Sequence, residues 1–337
     1  MRAFVVTAPK TFEIQNVSPP IAGPGEALIQ IVRVGVCGTD IEFFNGDMPY
    51  LHDGQAKYPI RIGHEWTGTV IGLGNGTDSK LLGKRVTGDV MMGCGNCNRC
   101  SDGRQHTCVD RYEMGIRNGW NGALAEQLVI PTRFLHLLRD SIDDTVGALV
   151  EPGANAWRVA VAAQATPGKR ILIWGTGTIG LYTLLFAKAM GAEVHMIGKD
   201  PATIELALEL GATSAGEELT AFKDGYNSIV DATFDPSIPA KAVDLVEPGG
   251  HVVLIGVDSN GAPIDSRKLV FKDVTVVGIL SGSPGLSHSI EFIASGRVDP
   301  RPLVGATVGL SEVGSFFMGV RPIGAGVGPK ILVDPTR

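Results

Sequence analysis

Nothing in this chain narrows its possible folds more than the run Gly175-Thr176-Gly177-Thr178-Ile179-Gly180 in its setting. The run follows an apolar stretch, residues 170–174, and opens an apolar helix-like pattern over residues 179–190. Another short apolar run, residues 193–197, comes about one strand–helix–strand unit later, which is the context that makes G-x-G-x-x-G meaningful. The first glycine makes a tight turn, the second lets backbone approach a pyrophosphate, and the third lets helix and strand pack closely. The N–H groups at the start of the helix then face the phosphates. Strand and helix patterns continue to alternate, with a helix at 201–210 and strands at 228–232, 251–255 and 274–279. That alternation predicts a doubly wound parallel sheet.

The first 150 residues have another texture. Short runs at 2–7, 27–34, 66–73 and 124–130 are separated by Pro19-Pro20, Gly23-Pro24-Gly25 and Gly74-Asn75-Gly76, a β-rich pattern. At 337 residues the chain exceeds one comfortable core. We therefore expect an α/β protein with a β-rich domain over 1–151 and a nucleotide-type domain over 152–284. A tail over 285–337, with an amphipathic helix at 289–295 and a last strand at 330–334, is expected to return to the first domain.

All five cysteines can be accounted for. Cys94, Cys97, Cys100 and Cys108 follow C-x2-C-x2-C-x7-C, with small or polar residues between them. Four thiolates brought together by tight turns make a closed tetrahedral cage for structural zinc. Two disulfides are the rival, but residues 1–10 contain no secretory leader, and a reducing cytoplasm disfavours them. The spacing is not one of the usual iron–sulfur runs. Cys37 stands apart, in Gly35-Val36-Cys37-Gly38-Thr39-Asp40. With His64 and Glu65 of Gly63-His64-Glu65, and with Glu151, it describes an open, Lewis-acidic zinc site. Each of these residues alone is weak evidence, since single cysteines and histidines commonly sit in cores.

A net charge of −6 leaves no electrostatic footprint for nucleic acid. The longest uncharged stretch, 171–187, contains Gly175, Gly177 and Gly180 and suits a strand–turn–helix better than a membrane span.

These residues resemble the zinc-containing branch of the medium-chain dehydrogenase/reductase superfamily, which includes alcohol, sorbitol, threonine and glucose dehydrogenases. The likeness covers Pro24-Gly25-Glu26-Ala27-Leu28, Cys37-Gly38-Thr39-Asp40, Gly63-His64-Glu65, the four-cysteine lobe, Val150-Glu151-Pro152, the Gly175–Gly180 loop, Pro248-Gly249-Gly250 and Ile331-Leu332-Val333-Asp334-Pro335, in the family's order. It implies a GroES-like catalytic domain, a Rossmann domain and a catalytic zinc in the cleft between them. Cys37, His64 and a carboxylate, either Glu65 or Glu151, would hold that metal. Thr39 matches the hydroxyl that receives the substrate proton. Three residues on, where the family commonly has a relaying histidine, this chain has Glu42. The implied reaction is oxidation of a secondary alcohol on a polyol, sugar or cyclitol, with hydride passing to a nicotinamide. Alternatives are a simple or amino alcohol, or a catalytically silent member. Thr39, Asn45, Trp66, Arg117, Trp120 and Asn155 are candidates for the substrate pocket.

The cofactor choice turns on Gly198-Lys199-Asp200-Pro201. An acid at the end of the second strand usually holds the NAD ribose. Asp200 stands at about that separation, but with Pro201 behind it the residue reads as a helix N-cap. That leaves Gly198 where the acid would be, with Lys199 beside it to meet a 2′-phosphate, so NADP is favoured over NAD. The resemblance also implies a homodimer or homotetramer, and the apolar run 274–280 could form the sheet edge joining two copies.

Overall fold

The computed structural model describes residues 1–218, 225–257 and 261–337. Arg170–Trp174 shows how the second half is built. Ile171 and Ile173 enter one core, whereas Leu172 and Trp174 enter another on the opposite side of the sheet. A strand covered on both faces needs an unbroken apolar run, which is what this segment offers. It lies within a six-stranded parallel sheet, in the order Ser214–Gly216, Glu193–Ile197, Arg170–Trp174, Tyr226–Asp231, Val246–Leu254, Thr275–Gly278. Helices Val150–Ala162, Thr178–Ala189 and Leu286–Ala294 cover one face. Ile238–Leu245 covers the other. The strand order reverses beside Arg170–Trp174, so the glycine loop that follows stands at a topological switch point, where open α/β sheets place ligands.

The first half is a seven-stranded mixed sheet running Val304–Gly309, Lys330–Asp334, Glu26–Gly35, Glu65–Leu73, Arg85–Gly88, Leu135–Leu137, with Gln127–Pro131 also paired to Glu26–Gly35. Along Glu26–Gly35, Ala27, Ile29 and Ile31 are fully buried while Glu26, Leu28 and Gln30 are not. This is the alternation of a sheet with one face on a core. The core holds Phe4, Phe43, Phe44 and Trp66. Lys330–Asp334 pairs antiparallel with Glu26–Gly35, setting Leu332 against Gly35 and Val333 against Val34. The end of the chain is thereby part of the first sheet. The two-domain α/β architecture, a β-rich GroES-like half and a Rossmann half, is the one expected.

Local boundaries differ from the sequence-based expectation in places. The tail helix starts at Leu286, not 289, because a 3-10 turn over Ser283–Gly285 leads straight into it. The strand expected at 251–255 begins at Val246 and runs through the Pro248-Gly249-Gly250 turn residues. Among the described residues no helix is long and apolar enough to cross a membrane.

Candidate metal centre and nucleotide loop

Cys37 caps the helix Gly38–Asn45, so its sulfur stands at the positive end of that helix. His64 and Glu65 come from the start of the neighbouring strand Glu65–Leu73. A ligand atom from each of Cys37, His64 and Glu65 lies within 4.8 Å of the others. The register sets Glu65 opposite Gly35, and any side chain at Gly35 would run into the Glu65 carboxylate. A glycine there is what gives the acid room.

Two residues that sequence reasoning passed over hold this cluster. Asp40 is fully buried. Its carboxylate accepts from Cys37 N at 2.9 Å and from Gly63 N at 3.0 Å, tying together the two segments that carry the donors. His64 Nδ1 lies 3.5 Å from Asp40 Oδ1, close enough for charge to act and too long for a good hydrogen bond. Burial opposes charging of the imidazole, but Asp40 and the Cys37 sulfur outweigh it and raise its pKa well above the usual range. Lys330 is the other. Its Nζ donates to Glu65 Oε2 at 2.6 Å, to Oε1 at 2.8 Å and to Val36 O at 2.9 Å, all out of solvent. Asp40 had a signal, an acid three residues after the cap as in a capping box. Lys330 had none, because its partner is 265 positions away.

Glu151 begins the helix Val150–Ala162 and is outside the set of mutually close ligand atoms. Asn155, one turn on, donates to its Oε1 at 2.9 Å. Burial pushes the Glu151 carboxyl up to about 7; His64 opposes the rise, and Glu65 adds to it. A thiol, an imidazole and two buried carboxyls facing one lysine form a donor set with anionic surplus. A divalent cation fits that set.

Thr39 is half-buried in the first turn of Gly38–Asn45. Glu42, one turn on, has its carboxyl raised by burial and then by Asp47. Of the pocket candidates, Trp66 must be corrected: it is fully buried among the apolar core residues of the first half, since its strand position faces inward. Arg117 lies over the Tyr50 ring and 3.8 Å from Glu113, and Trp120 Nε1 donates to Val129 O. Asn45, half-buried, ends the helix that Cys37 caps.

In the four-cysteine lobe the sulfurs of Cys94 and Cys100 are 4.0 Å apart, those of Cys97 and Cys100 3.6 Å, and those of Cys97 and Cys108 3.8 Å. A tetrahedron with zinc–sulfur bonds of about 2.3 Å has edges of about 3.8 Å. No pair is bonded as a disulfide. Hydrogen bonding from the Asn96 backbone draws Cys94 down to about 7, while burial pushes Cys100 up to about 11. The lobe is shaped for a cation that would stabilise all four thiolates.

At the nucleotide loop each glycine has its own reason. Gly175 has φ of +110°, and a side chain there would meet the Ala232 carbonyl. Gly177 faces open space, and a side chain at Gly180 would strike the Gly175 carbonyl. Thr176 is buried with its hydroxyl 2.8 Å from that of Thr203. Gly177 caps the helix that Thr178 and Ile179 begin. At the end of the second strand Gly198 packs against Thr176, leaving no room for a side chain. Asp200 caps the next helix, accepting from Ala202 N at 3.1 Å. Lys199 is 93% exposed and 3.9 Å from Asp235.

Residues 23–140 match the alcohol dehydrogenase GroES-like domain, and residues 178–295 match the zinc-binding dehydrogenase domain. An uncharacterised zinc-type alcohol dehydrogenase-like protein of Escherichia coli K12 is 32% identical over 89% of each chain. A 2-dehydro-3-deoxy-L-galactonate 5-dehydrogenase of Pseudoalteromonas atlantica is 30% identical over 92% of each. Among solved structures, an alcohol dehydrogenase of E. coli CFT073 with NADH superposes with a TM-score of 0.90 at 24% identity, over 99% of each chain. A zinc-binding dehydrogenase of Sinorhizobium meliloti 1021 bound to NADP gives 0.88 at 25%, also over 99% of each.

Proposed function

This chain belongs to the zinc-type, nicotinamide-linked alcohol dehydrogenase family, and on that premise we propose that it oxidises a secondary alcohol of a polyol, sugar or cyclitol. The observation that carries the proposal is the juxtaposition of Cys37, His64 and Glu65 in one buried cluster, with Glu151 close enough for its charge to be felt. Zinc, when bound, would supply Lewis acidity toward the substrate oxygen. Cys37, His64 and one of Glu65 and Glu151 would hold it. Asp40 keeps the two donor segments in register, and Lys330 restrains Glu65. Thr39 is the group we assign to receive the substrate proton. Glu42 is the group we assign to pass it on, its carboxyl raised by burial and then by Asp47, which eases taking up a proton. A nicotinamide, when bound, would supply the hydride acceptor, and the backbone of the Gly175–Gly180 loop would hold its phosphates. A second zinc, held by Cys94, Cys97, Cys100 and Cys108, would serve structure.

We also propose that NADP is preferred. Asp200 is engaged as a cap, and Lys199, exposed and held only by a long ion pair to Asp235 at 3.9 Å, can turn to meet a 2′-phosphate. The relative acting on a deoxy-galactonate supports a polyhydroxylated substrate. A panel of polyols, sugars, cyclitols, hydroxy acids and simple alcohols, followed by nicotinamide absorbance with each cofactor, tests the reading. Turnover of a polyhydroxylated secondary alcohol with a higher kcat/KM for NADP, narrowed by Lys199→Ala, is expected. Turnover of simple alcohols alone would overturn the substrate class, and an NAD preference untouched by Lys199→Ala would overturn the cofactor choice.

A further inference from the structure

Pro20, Arg61, Gly119, Trp120, Asn121 and Val129 line a cavity of about 240 Å³ that shares no residue with either donor cluster. Arg61 is only 9% exposed. Its Nε is buried without a hydrogen-bond partner. No carboxylate among the described residues comes near enough to support its charge, and burial alone draws the guanidinium down to about 10. Two other cations withdrawn from solvent are paired with carboxylates, Lys330 with Glu65 and Arg111 with Glu113. Drawing a guanidinium out of water with no anion beside it is unfavourable, so Arg61, on the wall of this cavity, marks a place for an anion.

The rest of the wall says which kind. Trp120 spends its only donor on Val129 O at 3.1 Å, and Tyr112 meets its ring edge-on at 5.4 Å. The indole is therefore fixed, and what it offers a ligand is apolar. Pro20 and Val129 add to that surface, and Asn121 supplies an amide. A guanidinium fork matches the two oxygens of a carboxylate. We propose that this cavity binds a small organic carboxylate, its charge forked by Arg61 and its apolar part laid against Trp120. The site stands independently of the reaction assigned above.

Benzoate is the probe, compared with acetate and inorganic phosphate, using the full zinc-loaded chain, calorimetry and tryptophan fluorescence. Saturable benzoate binding is expected, tighter than that of acetate or phosphate. Arg61→Met should weaken it at least tenfold, and Arg61→Lys, which keeps the charge but not the fork, by less. His64→Ala, which disables the metal centre, should leave it unchanged. Absence of saturable binding would overturn the proposal, as would phosphate binding more tightly than benzoate. So would binding lost in His64→Ala and kept in Arg61→Met, which would place the anion on the metal. Should Arg61→Met fail to fold, Trp120→Leu replaces it, with the same tenfold loss expected and unchanged binding overturning the site.

Discussion

Glu151 shows how much a single buried acid can reveal. Its folded-state carboxyl stands at about 7, above its ordinary value of 4.5, chiefly because burial disfavours charge. Between those values the folded protein binds more protons than the unfolded one, so stability falls as pH rises through that window. In the zinc-free protein we expect the midpoint of thermal unfolding to drop from pH 4.5 to 7. Glu151→Gln should flatten the dependence, and zinc should do the same by compensating the carboxylate. A profile identical in Glu151→Gln and the parent would refute this. His64, also raised, works in the same direction, so the difference between the two proteins isolates Glu151.

At the scale of elements, the two cysteine-bearing segments have the same ligand chemistry and opposite surroundings. Cys37 caps a helix at a cluster that includes acids and an imidazole, while the lobe from Cys94 to Cys108 is tied down by its own short turns. A closed four-thiolate site contributes folding energy, whereas an open one contributes chemistry. Cys37→Ser should cut kcat/KM by roughly a thousandfold or more with little change in midpoint, since it removes a metal ligand. Cys108→Ser, at a fully buried position, should lower the midpoint by roughly 10 °C. Metal analysis should fall from two zincs per chain to one in each variant. Full activity in Cys37→Ser, or an unchanged midpoint in Cys108→Ser, would contradict the division of labour.

Across the whole molecule, the parallel sheet ends in Thr275–Gly278, which pairs on one side only among the described residues. Beside it Val270 is 76% exposed, Phe271 84% and Leu280 52%. An open strand edge flanked by apolar side chains is a liability unless covered. A second copy of this chain, continuing the sheet across a twofold axis, is the cover we expect. Light scattering at micromolar concentration should give at least twice the 35.5 kDa of one chain. Phe271→Asp should shift it toward the monomer, and a monomeric parent protein would end the idea.

What could be read without coordinates was whatever local spacing carries. The glycine loop, the four-cysteine run and the segment Cys37-Gly38-Thr39-Asp40 each act through backbone turns a few residues long, so their chemistry is written where they stand. Asp200 as a cap belongs here too, because a cap bonds two residues on. Tertiary structure decided what depends on residues far apart. Lys330 reaches Glu65 only because the last strand returns beside Glu26–Gly35. Trp66 lies in a core because the register of its strand turns it inward. Arg61 is an ordinary surface-type residue in the sequence and becomes a buried cation on the wall of a cavity shared with Pro20 and Trp120 only in the folded chain. Burial and long-range pairing belong to the folded chain as a whole, and no window of sequence contains both partners.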